Sequence, residues 1–220
     1  SGIEHVAACN ELNAGYAAEG YARINGLGAV AATYGPGAFS FVNAAAGAFA
    51  ERVPVLFISG GPETESYQTQ PILHHLLPDK YDASMKIFEQ VTAHTKLVDN
   101  PATAAQEIDR ALQVCLTEKR PVYIEIPRDI QTTACPVPKP FEMMVSGSDE
   151  ELLRNSVEVV ANRIKAGERT VILPGHEIHR FNLQDKVTDL IKRKGLPCGT
   201  MFIGKADFIE HMPECIGLYQ

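Results

Sequence analysis

Residues 27–62 read LGAVAATYGPGAFSFVNAAAGAFAERVPVLFISGGP, and the order of segments within them decides the fold. Residues 27–33 (LGAVAAT) form a short continuous apolar run, the pattern of a strand buried on both faces. Gly35-Pro36-Gly37 turns the chain, residues 38–50 have the Ala-rich composition of a helix, and residues 53–59 form a second buried strand closed by Gly60-Gly61-Pro62. A strand, a helix and a strand in succession predict a βαβ unit and therefore a parallel sheet.

The pattern continues on both sides. Residues 3–25 contain no Pro and are rich in Ala, which predicts a helix stopped by Gly26 and Gly28, with Glu19 and Arg23 one turn apart to pair on an exposed face. After a loop of about twenty residues come a helical piece near 81–88 and a strand near 91–98. Asn100-Pro101 reads as a helix start, followed by Ala104, Ile108, Ala111, Leu112 and Cys115 at helical spacing. Residues 121–126 (PVYIEI) are the next strand. The expected fold is α/β, a parallel sheet flanked by helices, over residues 1–127.

Composition shifts after Pro127. Pro136, Pro138 and Pro140 suit neither a central strand nor a helix, so residues 128–148 are expected to be a linker. A second, incomplete α/β domain is expected over 149–220. Ser148 with Glu151 reads as a capping box, Leu153, Val157, Val160 and Ile164 as the apolar stripe of a helix ended by Gly167, 170–173 as a strand, 183–194 as a helix stopped by Gly195, and 197–203 as a strand.

The 220 residues are 45% hydrophobic and 21% charged with a formal charge of −7 and no run of like charge, which argues against nucleic acid or an anionic membrane surface as partner. No apolar stretch is long enough to cross a bilayer and no secretory signal pattern opens the chain, so a cytoplasmic location is expected. Five cysteines without C-x-x-C spacing signal neither a zinc site nor a disulfide framework, and buried reduced thiols are expected. Ser1-Gly2 at one end and Tyr219-Gln220 at the other suggest a piece of a longer protein.

Three features could carry chemistry. Projected at 3.6 residues per turn, Ala7, Glu11, Ala14, Ala18 and Tyr21 share one stripe, so a carboxylate interrupts a small apolar face. Such a group needs a partner if buried, and is otherwise an ordinary surface glutamate. His74 and His75 lie in an apolar loop bracketed by Pro71 and Pro78, where adjacent imidazoles in a dry segment can exchange protons near neutral pH; a structural or solvated pair is the alternative. Gly35-Pro36-Gly37, between strand and helix, is either a phosphate-cradling turn or a plain tight turn.

In combination the motifs resemble a known family. Cys9-Asn10-Glu11-Leu12-Asn13-Ala14, Glu19-Gly20-Tyr21-Ala22-Arg23, Thr33-Tyr34-Gly35-Pro36-Gly37-Ala38, Glu51-Arg52-Val53-Pro54-Val55, Leu73-His74-His75 and Arg120-Pro121-Val122-Tyr123-Ile124-Glu125-Ile126-Pro127 occur in the order seen in thiamine-diphosphate-dependent 2-oxoacid decarboxylases. The likeness is greatest to pyruvate, indolepyruvate and phenylpyruvate decarboxylases. Gly175-His176-Glu177-Ile178, Arg180-Phe181 and Gly204-Lys205 resemble the start of that family's central domain, so the resemblance spans essentially the whole chain.

The resemblance implies a pyrimidine-binding domain lacking its first strand, then part of a central domain. It implies that Glu11 hydrogen-bonds N1′ of the cofactor's aminopyrimidine, where a dry surrounding strengthens the bond and keeps the carboxyl protonatable. His74 and His75 match the family's His pair, which moves protons and helps place the substrate carboxylate, while Tyr34, Gly35 and Gly37 are implied cofactor contacts. Thiamine diphosphate and Mg2+ are the implied cofactors, with the metal ligands in a domain beyond Gln220 and none matched here. The implied assembly is a homodimer or homotetramer with the active site at the subunit interface. Gly35-Pro36-Gly37-Ala38 stands where many pyruvate decarboxylases carry Gly-Val-Gly-Glu, which shifts the expected substrate toward phenylpyruvate or indolepyruvate, converted to an aldehyde and CO2. A carboligase of the same family and a non-catalytic nucleotide-binding module remain the alternatives.

Overall fold

The computed structural model describes residues 4–137, 139–144, 147–167, 169–205 and 207–219, and the chain divides into two compact units between Met143 and Met144. Ile3 of the expected first helix and Pro138 of the expected linker lie outside the described residues. The first helix, α1, is Glu11–Asn25 and starts later than Ala content alone predicts. Asn10 is extended and its side chain accepts from the Asn13 N–H at 2.9 Å, a competing bond that sets the helix start. Gly26, left-handed at φ 87°, ends it.

The remaining elements of the first unit are β1 (Gly28–Ala32), α2 (Pro36–Ser40), α3 (Val42–Ala50), β2 (Val55–Gly61), α4 (Thr64–Thr69), α5 (Ala83–Phe88), β3 (His94–Leu97), α6 (Ala104–Glu118), β4 (Val122–Pro127) and a 3-10 turn at Ile130–Thr132. The helix expected over 38–50 is two helices parted at Phe41, whose ring is fully buried. The loop expected to follow β2 contains α4, whose sequence TESYQT shows no apolar period; Asp129 holds its start by accepting from the Thr64 N–H and hydroxyl. Asn100 is not a helix cap. Its side chain accepts from the Ala102 N–H in a turn, and α6 begins at Ala104.

The four strands form one parallel sheet in the order β1-β2-β4-β3, as the alternating pattern predicts. One face carries Val55, Phe57 and Tyr123 against the small residues of α1 and α3. A Cβ built on Gly15 would lie 2.9 Å from the Ala44 Cβ, so the two helices approach more closely than larger side chains allow. Rings stack through this core from Phe41 to Phe57 (5.4 Å between centroids) and Phe88 to Tyr123 (3.9 Å, parallel). The opposite face packs Leu56, Val122 and Ile124 on Ala111 and Cys115 of α6. Helix α6 covers β2, β3 and β4, so Ala29 and Ala31 of β1 are exposed and that strand is buried on one face, not two.

Two expectations about α1 change in this packing. Its buried face is Gly15, Ala18, Glu19 and Ala22, while Tyr21 is 60% exposed and Ala7 precedes the helix. Glu19 and Arg23 do pair, but Glu19 is buried, and Arg23 also reaches Glu51 at the end of α3 at 2.7 Å, linking the two helices.

In the second unit α7 is Glu150–Ala166, capped by Asp149, which accepts from the Leu152 N–H at 2.8 Å; the shorter reach of Asp149 displaces the capping box read at Ser148. Leu153, Val157 and Val160 are exposed, so the expected stripe is not core. The core there is Ile191, Cys198 and Ile209, formed by α9 (Gln184–Lys194), β5 (Cys198–Met201) and α10 (Asp207–Glu210), with α8 (Glu177–Arg180) preceding and β6 (Cys215–Tyr219) pairing parallel to β5. The strand expected over 170–173 is a single bridge from Ile172 to Cys198, and the strand over 197–203 ends at Met201. Among the described residues no helix is long and apolar enough to cross a membrane, and no group of three potential metal ligands occurs.

Candidate functional site

The carboxyl ends of β1, β2 and β4 open onto a groove of about 450 Å3 lined by Thr33, Tyr34, Gly60, Gly61, Arg128 and Gln131, among others. Parallel sheets bind ligands at this edge because strand ends and helix starts converge there. Gly60 and Gly61, expected to close β2, are its last two residues and pair with Ile126 and Pro127.

The turn after β1 gathers the other candidate residues. Gly35 is left-handed (φ 65°), and a Cβ on it would stand 2.1 Å from the backbone oxygen of His75. The next residue, Pro36, starts α2, and Gly37 follows, where a Cβ would lie 2.8 Å from Thr33 Cγ2 and 3.3 Å from Glu11 Oε1. The two glycines therefore let the turn touch the histidine loop on one side and the first residue of α1 on the other. The sequence places Glu11, Gly35, Gly37 and His75 far apart; the sheet brings them together.

Glu11 is half-buried rather than sequestered, because it stands at the open start of α1, where its charge faces the positive helix end. Among the described residues no hydrogen bond engages its carboxyl group, which leaves it able to share a proton with a ligand's ring nitrogen. That fits the aminopyrimidine of thiamine diphosphate: a carboxyl group free to share a proton, beside a turn in which Gly35 and Gly37 carry no side chain. Tyr34 is half-buried and lines the groove.

His74 and His75 stack at 3.8 Å between centroids, but both are exposed, so the dry segment expected from the flanking apolar residues is not formed; Ile72 is itself 96% exposed. The loop is nevertheless held in an unusual course, with Gln70, His75 and Asp79 all at positive φ. Its inner anchor is Tyr81, 5% exposed, whose hydroxyl donates to the Pro71 carbonyl.

Sequence reasoning passed over Glu125. This residue is 2% exposed on β4, at the polar end of the α1 face of the sheet. Tyr67 of α4 donates to its Oε1, and Tyr123 donates to Oε2 at 2.8 Å. Ser59 lies 2.6 Å from the Tyr123 hydroxyl, and Ser84 completes the shell. Burial pushes the Glu125 carboxyl above the usual carboxylate range against the opposing pull of Tyr67, Tyr123, Ser59 and Ser84. Burial first and the Glu125 charge second likewise raise Tyr67 and Tyr123. The available signal was the single charge inside the apolar strand PVYIEI.

Residues 1–85 match the family model described as thiamine pyrophosphate enzyme, N-terminal TPP binding domain. The chain is 34% identical to pyruvate decarboxylase 3 of Arabidopsis thaliana and 35% identical to pyruvate decarboxylase 2 of Nicotiana tabacum, over 223 residues in each case. It is 36% identical to pyruvate decarboxylase 2 of Oryza sativa subsp. japonica over 224 residues. The chain is thus similar over nearly its whole length to thiamine-diphosphate-dependent pyruvate decarboxylases, and its first 85 residues match the family's cofactor-binding domain. Each alignment covers 99% of this chain and between 36% and 38% of the relative, so the chain spans little more than a third of the length of these decarboxylases. Within the family match fall α1, the Gly35-Pro36-Gly37 turn and the His74-His75 loop.

Proposed function

We propose that the protein is a non-oxidative decarboxylase that uses thiamine diphosphate and Mg2+ to convert an aromatic 2-oxo acid, phenylpyruvate or indolepyruvate, to an aldehyde and CO2. The observation that carries this reading is the convergence on one turn of the Glu11 carboxylate at Gly37 and the His75 backbone at Gly35. When bound, the thiazolium of the cofactor stores the electrons released with CO2. Glu11 would share its carboxyl proton with the ring nitrogen N1′ of the aminopyrimidine and orient the cofactor, with Tyr34, Gly35 and Gly37 forming the surface it would rest on. His74 and His75, both exposed, would hold and move protons at their ring nitrogens and place the substrate carboxylate.

The aromatic preference rests on Gly35-Pro36-Gly37-Ala38, where Ala38 puts no carboxylate at the start of α2. In the same reading residues 1–127 are the pyrimidine-binding domain, 149–220 are part of the central domain, and a dimer or tetramer working in the cytoplasm completes the site at a subunit interface. The test is CO2 release from phenylpyruvate, indolepyruvate and pyruvate by the full-length protein with thiamine diphosphate and Mg2+. Glu11→Gln is expected to lower turnover at least a hundredfold with an unchanged melting temperature. Near-normal turnover in that variant removes the role assigned to Glu11, and a preference for pyruvate removes the aromatic assignment. Acyloin or acetolactate formed in preference to free aldehyde identifies a carboligase.

A further inference from the structure

Glu125 makes no contact with the residues assigned above, yet it is connected to them. A carboxyl group in the middle of a parallel sheet is costly unless it is fully hydrogen-bonded, and this one is surrounded by two phenols and two hydroxyls. Gly61 makes room for the arrangement: a Cβ there would stand 2.3 Å from the Tyr67 hydroxyl and 3.4 Å from Glu125 Oε1. Tyr67 in turn meets Tyr81 edge-on, with ring centroids 6.2 Å apart and planes at 76°. Tyr81 donates to the Pro71 carbonyl, at the entry to the exposed loop that ends against Gly35.

We propose that Glu125 is a positioning residue for the histidine loop: its carboxyl fixes Tyr67, Tyr67 fixes the Tyr81 ring, and the Tyr81 hydroxyl holds the backbone that carries His74 and His75. The proposal rests on the decarboxylase reading for what the histidines do, but not for where they are held. The imidazoles are exposed and the loop's own bond from Leu76 N–H to the Leu73 carbonyl is long at 3.3 Å, so an interior anchor at its entry acts together with the Gly35 contact at its far end. An apolar residue at 125 would pack the strand equally well and would leave Tyr67 without an acceptor.

The experiment compares Glu125→Gln, Tyr67→Phe and Tyr81→Phe with Ala111→Gly, a destabilising change on the opposite face of the sheet that touches none of these groups. Two properties of the full-length protein are read: the carbon-13 signals of His74 and His75 under histidine-selective labelling, and kcat against KM for 2-oxo acid decarboxylation. In the three network variants both histidine signals are expected to shift while Ala111→Gly leaves them at wild-type positions. Turnover is expected to fall about tenfold to a hundredfold in kcat, the scale set by misplacing a catalytic group by up to about 1 Å. The Glu125→Gln, Tyr81→Phe double variant is expected to lose no more than the more impaired of the two single variants, since both act through one loop. Unmoved histidine signals in folded Tyr67→Phe and Tyr81→Phe overturn the proposal, as do losses that multiply in the double variant. If Glu125→Gln does not fold, the two tyrosine variants decide. A wild-type protein without decarboxylase activity defeats the functional reading alone, because the histidine signals still report positioning.

Discussion

Replacing Gly35 by Ala tests the convergence at the turn directly. The new Cβ would stand 2.1 Å from the His75 oxygen, and an ordinary contact begins near 3.4 Å, so the loop or the turn must give way by about 1.3 Å. The contact is with backbone, and no side-chain rotation relieves it. In addition, Gly35 is at φ 65°, where a Cβ costs about 1–2 kcal/mol, which corresponds to a fall in melting temperature of roughly 2–8 °C for a chain of this size. A displacement of about 1 Å at a catalytic group costs on the order of a hundredfold in rate, or about 2.7 kcal/mol. Gly37→Ala is the matched control. Its φ is ordinary and its tightest contact is the Thr33 methyl at 2.8 Å, so a smaller stability loss is expected, with the disturbance falling on Glu11 instead of His75. The assay is decarboxylase turnover of both full-length variants beside their melting curves and His75 spectra. A Gly35→Ala protein that keeps turnover within twofold of wild type while its loop has moved refutes the claim that this turn places the histidines.

Further outcomes follow from individual contacts. Asn10→Ala removes the α1 cap and is expected to cost about 1 kcal/mol, seen as a lower denaturant midpoint and faster amide exchange at Asn13. Arg23→Met strands the buried Glu19 and is expected to cost about 1–3 kcal/mol by denaturant titration, with much of the loss recovered by adding Glu19→Gln. His94 is held below the ordinary histidine value, chiefly by burial and then by Arg110, with Lys96 adding and Glu107 opposing. The unfolded chain therefore takes up a proton that the folded one refuses, so stability is expected to fall as pH drops below about 6.5, and His94→Gln is expected to flatten that limb in melting curves measured between neutral and acidic pH. Cys115, on the buried face of α6 with its thiol pushed up to about 12 by burial, is expected to react with a thiol reagent only on unfolding, while exposed Cys9 and Cys135 react at once.

The parallel sheet was legible because strand and helix periods differ and because the runs LGAVAAT, VPVLFIS and PVYIEI leave few other options. The helix caps were less so. Asn10 and Asp149 set their helix starts through a side-chain bond of their own, while the start read at Asn100-Pro101 moved to Ala104 because the Asn100 side chain turns back on the Ala102 N–H. Short α4 was invisible because its stability lies in Asp129 and Glu125, both distant in sequence. The order of motifs was enough to give the resemblance that the comparisons also find. It could not tell that the histidine loop is exposed, since apolar neighbours such as Ile72 predict burial only when something covers them.

By itself, then, the amino-acid order determined the fold class and the resemblance to thiamine-diphosphate enzymes, and it singled out Glu11, His74 and His75 as candidates. These are carried by periodicity and by residue types, which are local properties. Only the tertiary structure decided which of them meet, because the contact of Gly35 with His75 and of Gly37 with Glu11 depends on where β1 ends and how the loop returns across it. The same holds for Glu125: a lone acid in an apolar strand acquires its partners, and its raised proton affinity, only when α4 and α5 are packed over the end of the sheet.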